Sequence, residues 1–145
     1  MKKFLVLNGP NLNLLGTREV DLYGKKTYGD LVEHCLREGR KYGAEIEVRQ
    51  TNHEGVLVDW IQEARGVCDG IVLNAAAYTH TSVAILDALK AVALPTVEVH
   101  LTEPLMREEF RKVSFVSMTA EKTFSGMGFE SYSAAISYLA SKEVV

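Results

Sequence analysis

The sequence predicts an α/β fold, in which a doubly wound parallel sheet carries helices on both of its faces. Two observations predict it: short apolar runs recur along the chain, and longer stretches with helical periodicity separate them. Strands that alternate with helices form a parallel sheet, because each crossover helix packs back onto the sheet. No linker or internal repeat divides the chain. We therefore expect one flavodoxin-like, five-stranded domain over residues 1–145.

Five short segments are the candidate strands. Four are apolar or alternate between apolar and polar residues, and the fifth, Val113–Ser117, is weaker. The first four are Lys3–Leu7, Glu45–Arg49, Gly70–Leu73 and Thr96–His100. In open sheets of this type, ligands bind outside the carboxyl ends of the strands. Residues that follow these segments are therefore the first candidates for a functional site.

Four further segments have apolar residues at helical spacing. They cover residues 31–39, 56–64, 82–93 and 131–142, and a short helical turn is expected at Leu105–Phe110. The third helix is apolar almost all round, with Asp87 and Lys90 as its charged residues. Since a surface helix normally shows a single apolar stripe, we predict that another subunit covers its outer face. A helix well buried within a monomer is the alternative interpretation.

Composition and charge exclude several classes of protein. The apolar content of 47% is ordinary for a globular domain, and the net charge of −3 gives no basis for a nucleic-acid surface. The apolar run Phe4–Leu7 is too short for a signal peptide and no run spans a membrane, so we expect a cytoplasmic protein. Cys35 and Cys68 form no CxxC pair, which favours buried thiols.

The fourth predicted strand ends in a carboxylate and an imidazole. Glu98 and His100 alternate with valines, so the two-residue period of a strand puts both on one face. A carboxylate beside an imidazole fixes its tautomer and supports its protonated form, as an acid catalyst requires. A purely structural histidine is the alternative interpretation.

A polar loop follows the first strand. It begins near Asn11, and Gly16 and Gly24 bracket Arg18 and Tyr23 within it. Such a loop could close over a substrate as a lid hinged at its glycines. It could also be an ordinary surface loop.

The third strand is followed by Asn74 and then by the residues that open the third helix. Backbone N–H groups are free at a helix start and could bind an anion near His80, whereas Thr81 or Ser82 could simply be the N-cap. Asp87 lies seven residues past His80, which is two turns along the same helical face.

Two arginines follow in the segment LMREEFRK. Arg107 and Arg111 are four residues apart and share one face if the segment is helical. Two aligned guanidinium groups could receive an anionic or hydroxylated substrate. Alternatively, Glu108 and Glu109 could pair with them as surface charges.

Four segments together resemble the type II 3-dehydroquinate dehydratase family, in the family's order and spacing. They are LNGPNLNLLGTREVDLYG (7–24), QTNHEG (50–55), NAAAYTHTSVAILDAL (74–89) and EVHLTEPLMREEFR (98–111). The resemblance implies a flavodoxin-like subunit in a dodecamer built from trimers. It also implies anti dehydration of 3-dehydroquinate to 3-dehydroshikimate through an enolate, a step of the shikimate pathway, without a cofactor or a metal.

The resemblance further implies catalytic roles. Tyr23 would be the base that takes the proton beside the ketone, with Arg18 as its electrostatic partner. His100, supported by Glu98, would protonate the departing hydroxyl. Asn11 would help to hold a water molecule against the enolate oxygen.

The binding roles it implies concern the carboxylate and the ring hydroxyls. Asn74 and the backbone N–H groups of Leu101 and Thr102 match the positions that hold the substrate carboxylate. His80 and Arg111 match positions that hold ring hydroxyls.

Two more positions match residues that act at the margins of the site. Asp87 matches an aspartate that reaches a neighbouring subunit's site, which suits the apolar outer face of its helix. Arg107 matches a support for the lid.

The sequence departs from the family at two places. The family usually has Pro-Gly where this chain has Ala75-Ala76. If that glycine needs a positive φ, the loop after Asn74 must take a different path or bear strain. The family's usual Ser-Asn is replaced by Thr102-Glu103, which brings a negative charge near the expected carboxylate site.

Two other functions remain open on the sequence. A flavodoxin-like binding or signalling module would share the fold, although the first strand lacks the acidic pair of a receiver domain. A weakly active relative, kept for assembly or regulation, would share the motifs despite the two departures.

Overall fold

The computed structural model describes residues 1–17 and 25–142. Arg18 and Tyr23 of the predicted lid lie outside the described residues. The strands are β1 (Lys3–Asn8), β2 (Glu45–Gln50), β3 (Gly70–Asn74), β4 (Thr96–Val99) and β5 (Lys122–Phe124). The α-helices are α1 (Tyr28–Lys41), α2 (Glu54–Ala64), α3 (Val83–Val92) and α4 (Glu130–Ser141).

The strands form one parallel sheet in the order β2-β1-β3-β4-β5. The chain leaves β1 toward one edge of the sheet and returns to its other side at β3. The switch in direction therefore lies between β1 and β3, and a crevice opens there at the strands' carboxyl ends. This confirms the predicted five-stranded, flavodoxin-like α/β fold.

The two faces of the sheet carry separate apolar cores. On β1, Phe4 and Val6 pack on the side of α1 and α4, while Leu5 and Leu7 pack on the side of α2 and α3. This alternation follows from the two-residue period of a strand, since both faces are covered by helices. Cys35 and Cys68 are buried free thiols, as predicted. Within the described parts of the chain, no helix is long and apolar enough to cross a membrane.

Local capping explains where α1 starts. The Thr27 hydroxyl accepts a hydrogen bond from the Asp30 backbone N–H, and the Asp30 carboxylate accepts one from the Thr27 N–H. This reciprocal pair is a capping box, which satisfies two N–H groups that would otherwise lack partners. Gly43, with φ of 66°, follows the end of the helix.

The prediction of a fifth strand at Val113–Ser117 was wrong. This segment turns instead, and Val116–Met118 is a short 3₁₀ helix. Its polar groups bind elsewhere: the Phe115 N–H donates to the Thr79 carbonyl at 2.9 Å. The fifth strand is the three-residue Lys122–Phe124, which is too short to give a periodic signal.

The segment predicted as one helical turn at Leu105–Phe110 is also different. It consists of two 3₁₀ helices, Pro104–Met106 and Glu109–Lys112. Arg107 lies between them with an extended backbone, at φ of −111° and ψ of −157°. Arg107 and Arg111 therefore do not share one helical face.

Helix α3 buries one stripe against the sheet and α2. Ile85 and Leu89 are buried, whereas Val83, Ala84 and Asp87 are exposed on the outer side. The outer face is thus apolar around Asp87, as the sequence indicated. Its coverage by another subunit stays a prediction.

Candidate active site

A cavity of about 110 Å³ opens at the carboxyl ends of β1, β3 and β4. Four of its side chains are imidazoles or guanidinium groups: His80, His100, Arg107 and Arg111. Among the described residues that line it, none has a carboxylate. Such a cavity favours an anionic ligand.

Several sequence-predicted residues meet in this cavity. The residues on its wall that were predicted from the sequence are Asn11, Asn74, His80, His100, Leu101, Thr102, Arg107 and Arg111. Glu98 lies directly behind His100, while Asp87 is not part of the wall. Parallel pairing explains the convergence, because it brings residues that follow different strands to one edge of the sheet.

Glu98 and His100 form the buried pair that the strand period predicted. The distance from His100 Nε2 to Glu98 Oε2 is 2.5 Å, and the two residues are 8% and 2% exposed, respectively. Since a carboxylate accepts, His100 carries a hydrogen on Nε2. Its other ring nitrogen, Nδ1, is therefore the one that can give or take a proton during a reaction.

Three hydroxyl groups hold the Glu98 carboxylate in addition to His100. Ser114 donates to it at 2.8 Å, Thr123 at 3.2 Å, and Ser117 makes a short hydrogen bond. Burial alone would raise the pKa of Glu98. Hydrogen bonds from His100, Ser117 and Ser114 outweigh it and hold the pKa below its ordinary range, so the carboxylate stays charged.

A second cavity, of about 330 Å³, adjoins the first behind His80, His100 and Arg111. Its wall includes hydroxyl groups from Thr79, Ser114, Ser117, Thr123 and Ser125. The buried Thr79 hydroxyl has no hydrogen-bond partner among the described residues. A polar space of this size has room for water molecules that would satisfy it.

His80 has a fixed tautomer. Its Nδ1 lies 2.7 Å from the Val113 carbonyl oxygen, which can only accept, so Nδ1 carries the hydrogen. Burial lowers the pKa of His80, and the charges of His100 and Arg111 lower it further, although the hydrogen bond to Val113 opposes them. A neutral His80 therefore keeps an acceptor lone pair on Nε2.

The QTNHEG segment supports the loop after β1. Gln50 Nε2 donates to the Gly9 carbonyl at 3.2 Å, and the Asn11 N–H donates to Asn52 Oδ1 at 3.0 Å. Asn11 has a φ of 71°, a left-handed conformation that asparagine tolerates well. These contacts fix the part of the loop that lines the cavity.

The amide of Asn74 is held at both ends. Its Oδ1 accepts from the Ala76 N–H at 3.1 Å, and its Nδ2 donates to the Tyr132 hydroxyl at 2.8 Å. Leu101 and Thr102 lie across the cavity, and their backbone N–H groups make no hydrogen bond to another described residue. These donors can therefore bind an anion.

Ala76 stands where the family usually has glycine, and its backbone is strained, as one of the two sequence interpretations expected. It has a φ of 52°, in the left-handed region that disfavours residues with a Cβ atom. The loop has little freedom to relax, because the Gly9 N–H donates to the Asn74 carbonyl at 2.8 Å. A Cβ on Gly9 would lie 2.5 Å from the Ala75 oxygen.

Glu103, the second departure, turns its carboxylate away from the first cavity. One oxygen accepts from the Leu105 N–H at 3.2 Å, and the other accepts from the Ser125 hydroxyl at 2.5 Å. It thus caps the 3₁₀ helix Pro104–Met106. Its negative charge is satisfied by local donors.

The two arginines have different surroundings. The Arg111 Nε donates to Glu108 through a short hydrogen bond, as the surface-pair alternative predicted, yet Arg111 still lines both cavities. Its terminal nitrogens remain as further donors. Arg107 lines the first cavity between the two 3₁₀ helices.

The start of α3 agrees with one of the sequence interpretations and contradicts another. Ser82 is the N-cap, and its hydroxyl accepts from the Ile85 N–H at 3.0 Å, which is the simpler of the two interpretations. His80 ends a separate 3₁₀ helix, Ala76–His80, so it does not share a helical face with Asp87. Nowhere in ranges 1–17 and 25–142 do three or more His, Cys, Asp or Glu residues form a candidate metal cluster.

Sequence reasoning assigned no role to several residues that support the site. Asn8, Gln50 and Asn52 lie within the segments that carry the resemblance, and Ser114, Ser117, Thr123 and Tyr132 lie outside them. For Asn8, a signal existed: β1 ends in LVLN and β3 in IVLN, so the same dipeptide closes two strands. The hydroxyl residues and Tyr132 gave no signal, because a tyrosine on an apolar helix face usually belongs to the core.

Comparisons with known proteins show the family and the fold of this chain. The sequence profile of the dehydroquinase class II family matches residues 2–140. A Pseudomonas putida protein, 3-dehydroquinate dehydratase 2, is 56% identical over 94% of this chain and 91% of its own length. The 3-dehydroquinate dehydratase of Phenylobacterium zucineum is 54% identical over 93% of each chain. The crystal structure of a type II dehydroquinase from Butyrivibrio crossotus superposes with a TM-score of 0.94 at 44% identity, covering 97% of this chain and 98% of that one.

Proposed function

The chain belongs to the class II dehydroquinase family, and from this premise we propose how it acts as a 3-dehydroquinate dehydratase of the shikimate pathway. The observation that carries the mechanism is the cavity with two imidazoles, two guanidinium groups and no described carboxylate on its wall, backed by the buried Glu98–His100 pair. A binding or signalling module is set aside, because the family consists of enzymes. We also propose that residues 1–145 work as one catalytic domain.

The first step we propose is removal of a proton beside the substrate ketone. Tyr23, as phenolate, takes the proton, and the electron pair moves to the ketone oxygen, which becomes an enolate. Phenolate is scarce at neutral pH unless a cation stabilises it, which is the role we assign to Arg18. A water molecule held by Asn11 donates to the enolate oxygen. The support for Tyr23 and Arg18 is their match to the family motif.

In the second step, the enolate collapses and the hydroxyl group leaves as water. His100 is the acid, and its proton comes from Nδ1, because Nε2–H is held by Glu98. The charged Glu98 accepts from the Nε2–H and orients the ring throughout. After one turnover Tyr23 is protonated and His100 is neutral, so one proton must return from the base to the acid.

The binding roles follow from the donors and acceptors on the cavity wall. We propose that the Asn74 amide and the N–H groups of Leu101 and Thr102 hold the substrate carboxylate. Neutral His80 accepts from a ring hydroxyl through Nε2, and Arg111 donates to another. Arg107 supports the closed lid.

We further propose that the enzyme is a dodecamer built from trimers. Asp87 lies on an exposed apolar helix face and outside the cavity of its own subunit. Both facts suit a residue that reaches a neighbouring subunit's site. Gel filtration or analytical ultracentrifugation that finds a monomer would refute this role.

Turnover by metal-stripped protein tests the whole proposal. Purified chain treated with a chelator should convert 3-dehydroquinate to the conjugated enone, seen as rising ultraviolet absorbance. Folded protein without turnover would refute the activity and would favour a weakly active relative. Borohydride added with substrate should leave activity intact, because no lysine imine forms.

The proposed base has its own test. Tyr23→Phe should lower kcat by at least about 10³-fold while substrate still binds, since only the base is removed. Tyr42→Phe is the matched control, because Tyr42 lies at the end of α1 and is exposed. Equal activity of Tyr23→Phe and wild type would exclude Tyr23 as the base.

A further inference from the structure

One tyrosine hydroxyl joins the asparagines that end two neighbouring strands. Asn8 and Asn74 are register partners at the ends of β1 and β3. The Tyr132 hydroxyl donates to Asn8 Oδ1 at 2.6 Å and accepts from Asn74 Nδ2 at 2.8 Å. Tyr132 and Asn8 are fully buried and Asn74 is 3% exposed. This burial shields the bonds from bulk solvent, where hydrogen bonds are weaker.

These hydrogen bonds form a chain in which each residue donates to the next, from Asn74 through Tyr132 to Asn8. Asn8 Nδ2 donates to the Arg49 carbonyl at 3.4 Å, which orients Asn8 Oδ1 toward Tyr132 as an acceptor. The single hydroxyl hydrogen of Tyr132 is therefore committed to Asn8. The Tyr132 oxygen can then only accept from Asn74, so the Asn74 amide must present nitrogen, not oxygen, on this side.

The direction decides what Asn74 offers to a ligand. With Oδ1 bound to the Ala76 N–H and one Nδ2 hydrogen bound to Tyr132, Asn74 keeps one N–H for the cavity. A flipped amide would instead bring its oxygen atom to the Tyr132 side and break both contacts. The fixed orientation keeps a donor available, which is what an anion requires.

We propose that Tyr132 is a positioning residue for substrate binding, which fixes the Asn74 amide so that its free N–H faces the substrate carboxylate. This inference rests on the proposed function, because it needs Asn74 to contact that carboxylate. Tyr132 itself lies on α4 and is not on the cavity wall. It acts through Asn74 alone.

The test is Tyr132→Phe, which removes only the oxygen atom. KM for 3-dehydroquinate should rise about tenfold, as for a lost hydrogen bond to a charged group, while kcat changes less than about threefold. Tyr138→Phe is the matched control: Tyr138 is on the same helix, and its hydroxyl donates to Glu121 near the surface. Its KM should equal that of wild type.

A double-mutant cycle separates positioning from general destabilisation. In an Asn74→Ala background, adding Tyr132→Phe should change KM less than about twofold, because the amide to be positioned is gone. An equal effect in both backgrounds would overturn the proposal, and so would an unchanged KM in Tyr132→Phe alone. Thermal unfolding of each variant sets an assay temperature at which all are folded.

Asn8→Ala is a second, independent variant, and it decides the matter if Tyr132→Phe does not fold. Without Asn8 the Tyr132 hydroxyl can turn its hydrogen toward Asn74, which favours the flipped amide. KM should rise here too, and a wild-type KM would overturn the proposal. Absence of turnover by the wild-type chain would instead remove the proposed function, and this inference with it.

Discussion

The floor and the rim of the cavity are built in opposite ways. The floor consists of Asn74, Glu98 and His100 at the ends of β3 and β4, all at most 8% exposed and all hydrogen-bonded to defined partners. The rim is the segment Pro104–Val113, made of two 3₁₀ helices. Its large apolar side chains are between 49% and 84% exposed: Leu105, Met106, Phe110 and Val113.

The difference matches two kinds of chemistry. Proton transfer requires one tautomer and one orientation, and buried hydrogen bonds supply them because leaving such groups unpaired is costly. Attraction of an anionic substrate requires only positive charge at the entrance, which exposed side chains can supply. Rim ion pairs such as Arg111–Glu108 and Lys112–Glu109 are weak and exchangeable. We therefore expect variants of the Glu98–His100 pair to lower kcat, and variants that disturb the Asn74 amide or the rim to raise KM.

The largest effect is expected on the floor, at His100. His100→Ala removes the proposed acid and should lower kcat by about 10²–10⁴-fold, with a smaller change in KM. Steady-state kinetics measure both. The control is His34→Ala, since His34 on α1 is buried, contacts Ser133 on α4 and is not part of the cavity wall. Equal losses in the two variants would mean that His100 is structural.

Glu98→Gln tests the support behind the acid. It keeps the shape but removes the charge that holds the His100 Nε2–H, so kcat should fall by about 10–100-fold. Steady-state kinetics measure the loss. An unchanged kcat would show that Glu98 only packs.

Glu98→Gln also tests how the free energy of unfolding depends on pH. The folded-state pKa of Glu98 is lowered, so its ionised form contributes stability above the ordinary carboxyl pKa, and this is lost as pH falls through the lowered value. The difference in unfolding free energy between wild type and Glu98→Gln should therefore be full at neutral pH and shrink below about pH 4. Denaturant titrations at several pH values measure it, and a difference that grows on acidification would reverse the assignment.

On the rim, Arg111→Ala should raise KM by about tenfold and change kcat little. The neighbouring Lys112 gives the control, because Lys112 is absent from the first cavity and pairs with Glu109. Lys112→Ala should stay close to wild type. Added salt should raise the wild-type KM more than that of Arg111→Ala, since screening acts on the charge that this variant lacks.

The smallest expected effect is on stability, at the strained alanine beside the floor. Ala76→Gly relieves the left-handed conformation but adds freedom to the unfolded chain, so the free energy of unfolding should rise by about 0.5–1 kcal/mol. Thermal or denaturant unfolding measures this gain. Ala93 follows α3 with a φ of 55°, so Ala93→Gly should raise the free energy of unfolding by a similar amount. Ala84 lies inside α3, and Ala84→Gly should lower the free energy of unfolding by about 1 kcal/mol. A lower free energy of unfolding in Ala76→Gly would mean that the loop is not strained.

The sequence by itself determined the α/β architecture and the pairing of Glu98 with His100. Short apolar runs between helical periods are enough for a parallel sheet, since burial on both faces leaves few alternatives. The spacing of Glu98 and His100 placed them on one face, because strand periodicity is local. Positive φ at Ala76 was also foreseeable, from the family's glycine at that position.

Only the tertiary structure decided what surrounds those residues. Ser114, Ser117 and Thr123 reach Glu98 from segments 16 to 25 positions away, and Tyr132 reaches Asn8 across 124 positions. The prediction of a strand at Val113–Ser117 was wrong for a related reason. Polar groups of this segment bind Thr79 and Glu98 and not a neighbouring strand. Hydrogen bonds between distant segments depend on how helices and loops pack, and no local periodicity encodes them.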